Sequence, residues 1–205
     1  DHAPMIILAD DNGSVPARTA NAGRVTPALG LDDAGWAVFC RGVEAVSRAV
    51  RDATALPVGF HHHCAGYVET PDEIAALLRG TSLELLGLVF DTGHYAFGAG
   101  DRDGAATRAG LDRFAGRITH MHYKDCEPEV AARAAAEGWD YFQSVGNGVF
   151  CELGRGCVDF PATTEGLRRR DYTGFITVEQ DVLPGMGAPK ESARRNREYL
   201  KTLGL

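Results

Sequence analysis

Residues 83–94 read LELLGLVFDTGH: an apolar run that stops at Asp91 and is followed three residues later by His94. Four other runs end in the same way. Residues 5–9 lead to Asp10 and Asp11, residues 58–60 to His61, His62 and His63, the run opening at Ile118 to His120, His122, Lys124 and Asp125, and residues 175–178 to Glu179 and Asp181. Continuous apolar runs suit strands buried on both faces. Helical patterns lie between them, an alternation expected of a parallel sheet with right-handed crossovers. The C-terminal ends of such strands meet at one edge, where α/β barrels build their active sites. An oxygen-rich set with some imidazole suits a hard divalent cation.

The intervening helices carry their own start and stop signals. Asp32 or Asp33 can cap a helix with an apolar stripe of Trp36, Phe39, Cys40, Val43, Val46 and Val50. Thr70-Pro71-Asp72-Glu73 is a capping box with proline at the first helical position, followed by Ile74, Leu77 and Leu78 on one face and Gly80 at the end. Leu111 and Phe114 mark another helix, and Pro128 opens an alanine-rich one reaching about Glu137. Two more run from Phe160 to about Arg169 and from Pro189 to about Leu203. Residues 10–31 and 141–159 read as long functional loops. Five strands are visible where a (β/α)8 barrel has eight, which leaves two architectures: an open doubly wound sheet, or the C-terminal part of a barrel.

The totals bound the function. The 205 residues suffice for one sizeable domain, 1–205, with no linker dividing it. A net charge of -7 without a basic block argues against nucleic acid, since phosphate binding needs clustered Lys and Arg. Arg168, Arg169 and Arg170 read as a helix end. No apolar stretch is long enough to span a bilayer and no signal peptide is visible. The five cysteines form no CxxC pair, so they read as reduced thiols of a cytoplasmic protein.

Strand periodicity sorts the polar groups by face. His120, His122 and Lys124 share one side, with Thr119, Met121 and Tyr123 on the other. If Phe60 and Phe90 face the helices, His61 and Asp91 both point into the barrel mouth, and His62 points away as a packed histidine. Asp91 either binds a cation or caps the following segment, with Gly93 permitting a turn that returns His94 to the site. Lys124 either holds a developing oxyanion or pairs at the surface with Asp125. Glu69 stands before a helix, where the dipole favours a negative charge. Glu152, in the glycine-rich stretch, ranks below the strand-end groups.

Five motifs resemble the sugar phosphate isomerase/epimerase superfamily, the xylose isomerase-like TIM-barrel group: FHHHCAGYVETPDEI (60–74), VFDTGHYAFGAGD (89–101), ITHMHYKDC (118–126), GVFCELGRGCVDFPA (148–162) and ITVEQDVLPGMGAPKESARRNREYL (176–200). The nearest branch is similar to inosose dehydratase. The resemblance implies a partial TIM barrel, about five of eight β/α units, N-terminally incomplete and open to association through its strand edges. It implies a divalent metal, Mn2+, Co2+ or Mg2+, held by Asp91, His122 and Glu179. Relatives carry Glu at the place of His61, so the remaining ligand is expected from Glu69 or from His61 itself, with Glu69 favoured. His61 and His94 are then the expected base and acid, and Lys124 the partner of an oxyanion or leaving hydroxyl. The implied reaction is dehydration of 2-keto-myo-inositol through an enediolate. The alternatives are a sugar isomerase, epimerase or 3-ketoglycoside lyase on the same site, an endonuclease disfavoured by the charge, and a non-catalytic metal or sugar binder. The expected partner is a small polyol or keto-sugar, with homo-oligomerisation possible.

Overall fold

Aromatic side chains on the outward face of a parallel sheet each meet a helix, and this pairing sets the layering. The computed structural model describes residues 4–205. Five strands, β1 (Ile6–Leu8), β2 (Val58–His61), β3 (Gly87–Asp91), β4 (Ile118–Tyr123) and β7 (Ile176–Val178), form one sheet in the order β1-β2-β3-β4-β7. Every neighbouring pair is parallel. Between β4 and β7 a short antiparallel pair intervenes, β5 (Asp125–Cys126) with β6 (Phe150–Cys151).

The helices are α1 (Pro16–Ala20), α2 (Asp33–Thr54), α3 (Pro71–Arg79), α4 (Thr92–Ala99), α5 (Ala105–Phe114), α6 (Pro128–Glu137), α7 (Tyr141–Gly146), α8 (Phe160–Arg168) and α9 (Pro189–Thr202). Phe60 packs edge-on against Phe39 of α2, Phe90 lies 4.9 Å from Tyr95 of α4, and Tyr123 lies 4.9 Å from Phe160 of α8. The Tyr123 hydroxyl also meets Thr164 Oγ1 at 2.9 Å, which satisfies the one polar atom of that buried ring.

Local signals place the helices. Asp32 accepts from Gly35 N at 2.7 Å and starts α2, and the Thr70/Glu73 box starts α3 in full. The buried stripe of α2 departs from the expected one at a single position. Ser47 is fully buried, its hydroxyl donating to the Val43 carbonyl at 2.8 Å, while Val46 is 47% exposed. The spacing from Val43 through Ser47 to Val50 keeps the helical phase, and a self-satisfied serine fits where the apolar count favoured valine. Helices α1 and α7 lie within the two stretches expected to be loops.

Glycines on the inner face of the sheet leave room for their neighbours' side chains. A side chain at Gly59 would approach Met5 Cε to 2.6 Å and Val89 Cγ2 to 2.9 Å, and one at Gly87 would collide with Thr119. Thr119 therefore lies on the inner face, contrary to its expected place opposite His120. The cause is a bulge. Leu88 pairs with Ile118 but Val89 pairs with His120, so β4 carries one extra residue there. Beyond it, Asp91 pairs with His122.

The segment after β1 is tied down by a buried ion pair. Arg18, with no exposed surface, donates Nη1 and Nη2 to Glu73 Oε1 and Oε2 at 2.7 and 2.9 Å, and its Nε to the Gly66 carbonyl at 2.7 Å. Glu73 also accepts from the backbone N–H groups of Glu69 and Thr70, so all parts of the pair are engaged. No helix among the described residues is long and apolar enough to cross a membrane.

Candidate metal centre

The sheet delivers its polar groups to one place. His61 closes β2, Asp91 closes β3, His122 is near the end of β4, and Glu179 follows β7, its N–H donating to the Tyr123 carbonyl at 3.1 Å. His94 enters from the first turn of α4. Donor atoms of His61, Asp91, His94 and Glu179 all lie within 4.8 Å of one another. His61 Nε2 is 3.6 Å from Asp91 Oδ2 and 3.7 Å from Glu179 Oε2, and His94 Nε2 is 3.7 Å from Glu179 Oε1. His122 Nδ1 hydrogen-bonds Glu179 Oε2 at 2.7 Å and lies 3.7 Å from Asp91 Oδ2.

Asp91 divides its carboxylate between two tasks. Oδ1 accepts from His94 N at 2.8 Å and caps α4, while Oδ2 is buried with no hydrogen-bond partner. His61 Nε2 and His94 Nε2 are likewise buried and unpartnered. Buried polar atoms are normally satisfied, and three orphans facing one another are what a cation's donor set looks like in its absence. Carboxylate oxygen and imidazole nitrogen together fit a divalent ion of the Mn2+, Co2+ or Zn2+ type.

The electrostatics keep the carboxylates ionised. Burial by itself would raise the Asp91 pKa, but His94, His122, His61 and Lys124 outweigh it and hold it well below the usual carboxylate range. For Glu179, burial is likewise outweighed by the His122 hydrogen bond, the nearby His94 imidazole and Lys124, and the pKa falls. His94 goes the other way: burial, then His63 and Lys124, favours its neutral form. His62 lies on the outer face, fully buried, its Nε2 accepting from Asp91 N at 3.1 Å, and burial pushes its pKa down to about 3. It is a structural acceptor behind the site.

Lys124 is 1% exposed and anchored. Its ammonium contacts Glu179 Oε1 and Asp181 Oδ2, each at 2.8 Å, and sits 4.5 Å above the Phe150 ring. Burial would lower its pKa, but Asp91, Glu179 and Asp181 outweigh that and raise it. Thr92 fixes the backbone beneath, donating to the Lys124 carbonyl at 2.6 Å and accepting from Lys124 N at 3.1 Å. Gly93 serves close approach rather than a turn. A Cβ there would lie 2.7 Å from Lys124 Cγ and 3.0 Å from its carbonyl carbon. We therefore expect Gly93→Ala to cost about 1–3 kcal/mol by overpacking, read as a lowered denaturation midpoint.

Three expected assignments are redirected. Glu69, favoured as a ligand, accepts instead from Gly23 N at 2.6 Å and Ala65 N at 2.7 Å, and lies outside the donor group. Two loop amides hold its carboxylate away from the cleft. Asp125 does not pair with Lys124. Its oxygens accept from Cys126, Gly154, Gly156 and Val158 N–H groups at 2.9–3.1 Å and so shape the glycine-rich loop. Glu152 pairs with Arg195 at 2.6 Å, away from the centre. Asp181 and Phe150, which hold Lys124, had no assigned role. The two-residue step from Glu179 to Asp181 was the available signal for the former.

Burial raises the Glu69 pKa from 4.5 to about 7 despite its amide donors. A carboxyl whose folded pKa exceeds its unfolded one favours folding below the unfolded value. That contribution is lost as pH rises from about 4.5 through 7, up to about 3 kcal/mol. Glu69→Gln removes the titration, so its stability relative to the parent rises across that window. Denaturant midpoints at a series of pH values read the difference.

The family model for the xylose isomerase-like TIM barrel matches residues 6–203. The chain belongs to this family. Its five parallel strands are part of the eight-stranded barrel such proteins build. It is similar to an inosose dehydratase of Bacillus velezensis, 32% identical over 198 residues, covering 97% of this chain and 64% of that one. The chain thus spans less than two thirds of that relative's length. Among solved structures, the probable 3-DHS dehydratase AsbF of Bacillus anthracis superimposes with a TM-score of 0.64 at 15% identity, covering 96% of this chain and 75% of that one. An IolI protein with a bound zinc atom superimposes at 0.54 and 15% identity, covering 87% and 60%.

Proposed function

We propose that this chain carries the metal site of a lyase that removes water from 2-keto-myo-inositol or a close keto-polyol. The observation that supports this most is the convergence of the unpartnered donors of His61, Asp91 and His94 with Glu179. Its likeness to inosose dehydratases supports this substrate class. Asp91 and Glu179, with imidazoles of His61, His94 or His122, hold the cation. When bound, the cation supplies positive charge to the substrate's carbonyl oxygen and so acidifies the neighbouring C–H. Manganese is the first choice, with Co2+, Mg2+ and zinc as rivals.

The chain's own groups then handle the protons. An imidazole not engaged in holding the cation takes the proton from the carbon beside the carbonyl. The resulting enediolate expels the hydroxyl from the next carbon. That hydroxyl leaves as water once protonated by a second group, and the enone tautomerises to a diketone. Lys124, fixed between Glu179 and Asp181, places a buried positive charge beside the developing oxyanion. Five free cysteines suit a cytoplasmic setting.

Incubating the chain with 2-keto-myo-inositol, with and without Mn2+, is the direct test. The expected product is the diketone, formed only with metal. A stereoisomerised ketone in its place would move the assignment to an isomerase or epimerase on the same site.

A further inference from the structure

Tyr141 opens α7 and is 6% exposed, yet its hydroxyl has no hydrogen-bond partner among the described residues. Its ring lies 5.8 Å from that of His63, and the His63 ring lies 3.8 Å from that of His94. The phenol is also within electrostatic reach of Asp181, Glu179 and Asp91. Burial raises its pKa, so it stays protonated and can donate. With no protein acceptor among the described residues, this hydroxyl beside the candidate centre is free to donate to a ligand atom.

The helix that carries it is firmly placed. Asp140 Oδ1 accepts from Gln143 N at 2.8 Å, and Gln143 Oε1 accepts from Asp140 N at 2.9 Å. Arg24 Nη1 donates to the Trp139 carbonyl at 3.0 Å and ties this turn to the segment after β1. Phe142 packs where any side chain at Gly13 would stand. His63 donates Nδ1–H to the Cys64 carbonyl at 2.9 Å, since a carbonyl only accepts, and its Nε2 is left as an acceptor. A donor beside an acceptor is the complement of an alcohol, which both accepts and donates.

We propose that Tyr141 is a specificity-determining residue that donates a hydrogen bond to a ring hydroxyl of the keto-polyol. The inference rests on the function proposed above. Turnover and equilibrium binding of 2-keto-myo-inositol with Mn2+ are compared for the parent chain and Tyr141→Phe, then repeated with monodeoxy analogues. The variant is expected to raise KM and Kd about five- to tenfold, with kcat little changed and Mn2+ affinity unaltered. One analogue, lacking the hydroxyl that Tyr141 holds, is expected to bind parent and variant alike. A purely structural tyrosine would weaken every analogue equally, and that result overturns the proposal. So does a variant indistinguishable from an active parent. A parent that neither binds nor turns over the ketone instead refutes the proposed function, and this inference with it.

Discussion

Replacing Asp91 is expected to abolish tight cation binding, with Asp91→Asn and Asp91→Ala failing for partly different reasons. The orphaned Oδ2 faces His61, and the capping Oδ1 accepts from His94 N. Asn keeps an oxygen for the cap but loses the charge and one oxygen donor. Ala loses both. Even partners that only orient a metal ligand are worth about 10–100-fold in affinity, so loss of a direct donor is expected to cost at least about 100-fold in both variants. The alanine variant should also unfold more easily than the asparagine variant, by about 1 kcal/mol, the usual worth of a helix cap. Calorimetric titration with Mn2+ measures the first effect and urea denaturation the second. Equal stability of the two variants would mean that the cap contributes nothing. Retained Mn2+ affinity would remove Asp91 from the donor set.

Arg18→Met is expected to destabilise the chain by about 3–5 kcal/mol, the largest stability effect of any single change considered. The substitution leaves Glu73 buried without its bidentate partner. The remaining backbone donors from Glu69 and Thr70 do not neutralise it. The Gly66 carbonyl also loses its donor. Adding Glu73→Gln to Arg18→Met should recover part of the loss, because the uncompensated charge is then gone while an amide still accepts from Thr70 N. Chemical denaturation of the three chains reads this. A double variant less stable than Arg18→Met alone would show that the charge of Glu73 is not the source of the cost. The pair joins the segment after β1 to α3 and stands next to Glu69, so its loss should also loosen the Ala65 and Gly23 turns.

Much of this architecture was legible because the signals were local. Thr70 through Glu73 spells a capping box, and each strand exit carries its charge or imidazole in plain view. Three features were not. Helix α4 buries residues 92–97 on all sides, so it has no polar face and no stripe by which a helix is read. Helices α1 and α7 are only five and six residues long and sit in glycine-rich surroundings that read as loop. The destination of Glu69 depended on two amides, Gly23 and Ala65, the first of them 46 residues away, and long-range satisfaction of that kind has no sequence pattern. Asp91 shows a different limit. Capping and cation binding need not be rivals, because a carboxylate has two oxygens: here Oδ1 caps α4 and Oδ2 is left facing His61.

The bulge in β4 has a consequence for how this chain tolerates change. Side chains alternate along a strand, and the extra residue at Thr119 restores the phase that brings His122 opposite Asp91. Were β4 to pair with β3 without the bulge, Asp91 would stand opposite Met121, a thioether would occupy the imidazole's place, and His122 would turn toward the helices. A one-residue slip in the pairing of this strand therefore acts like a reading-frame error written in three dimensions, while most conservative replacements at the same positions leave the frame intact.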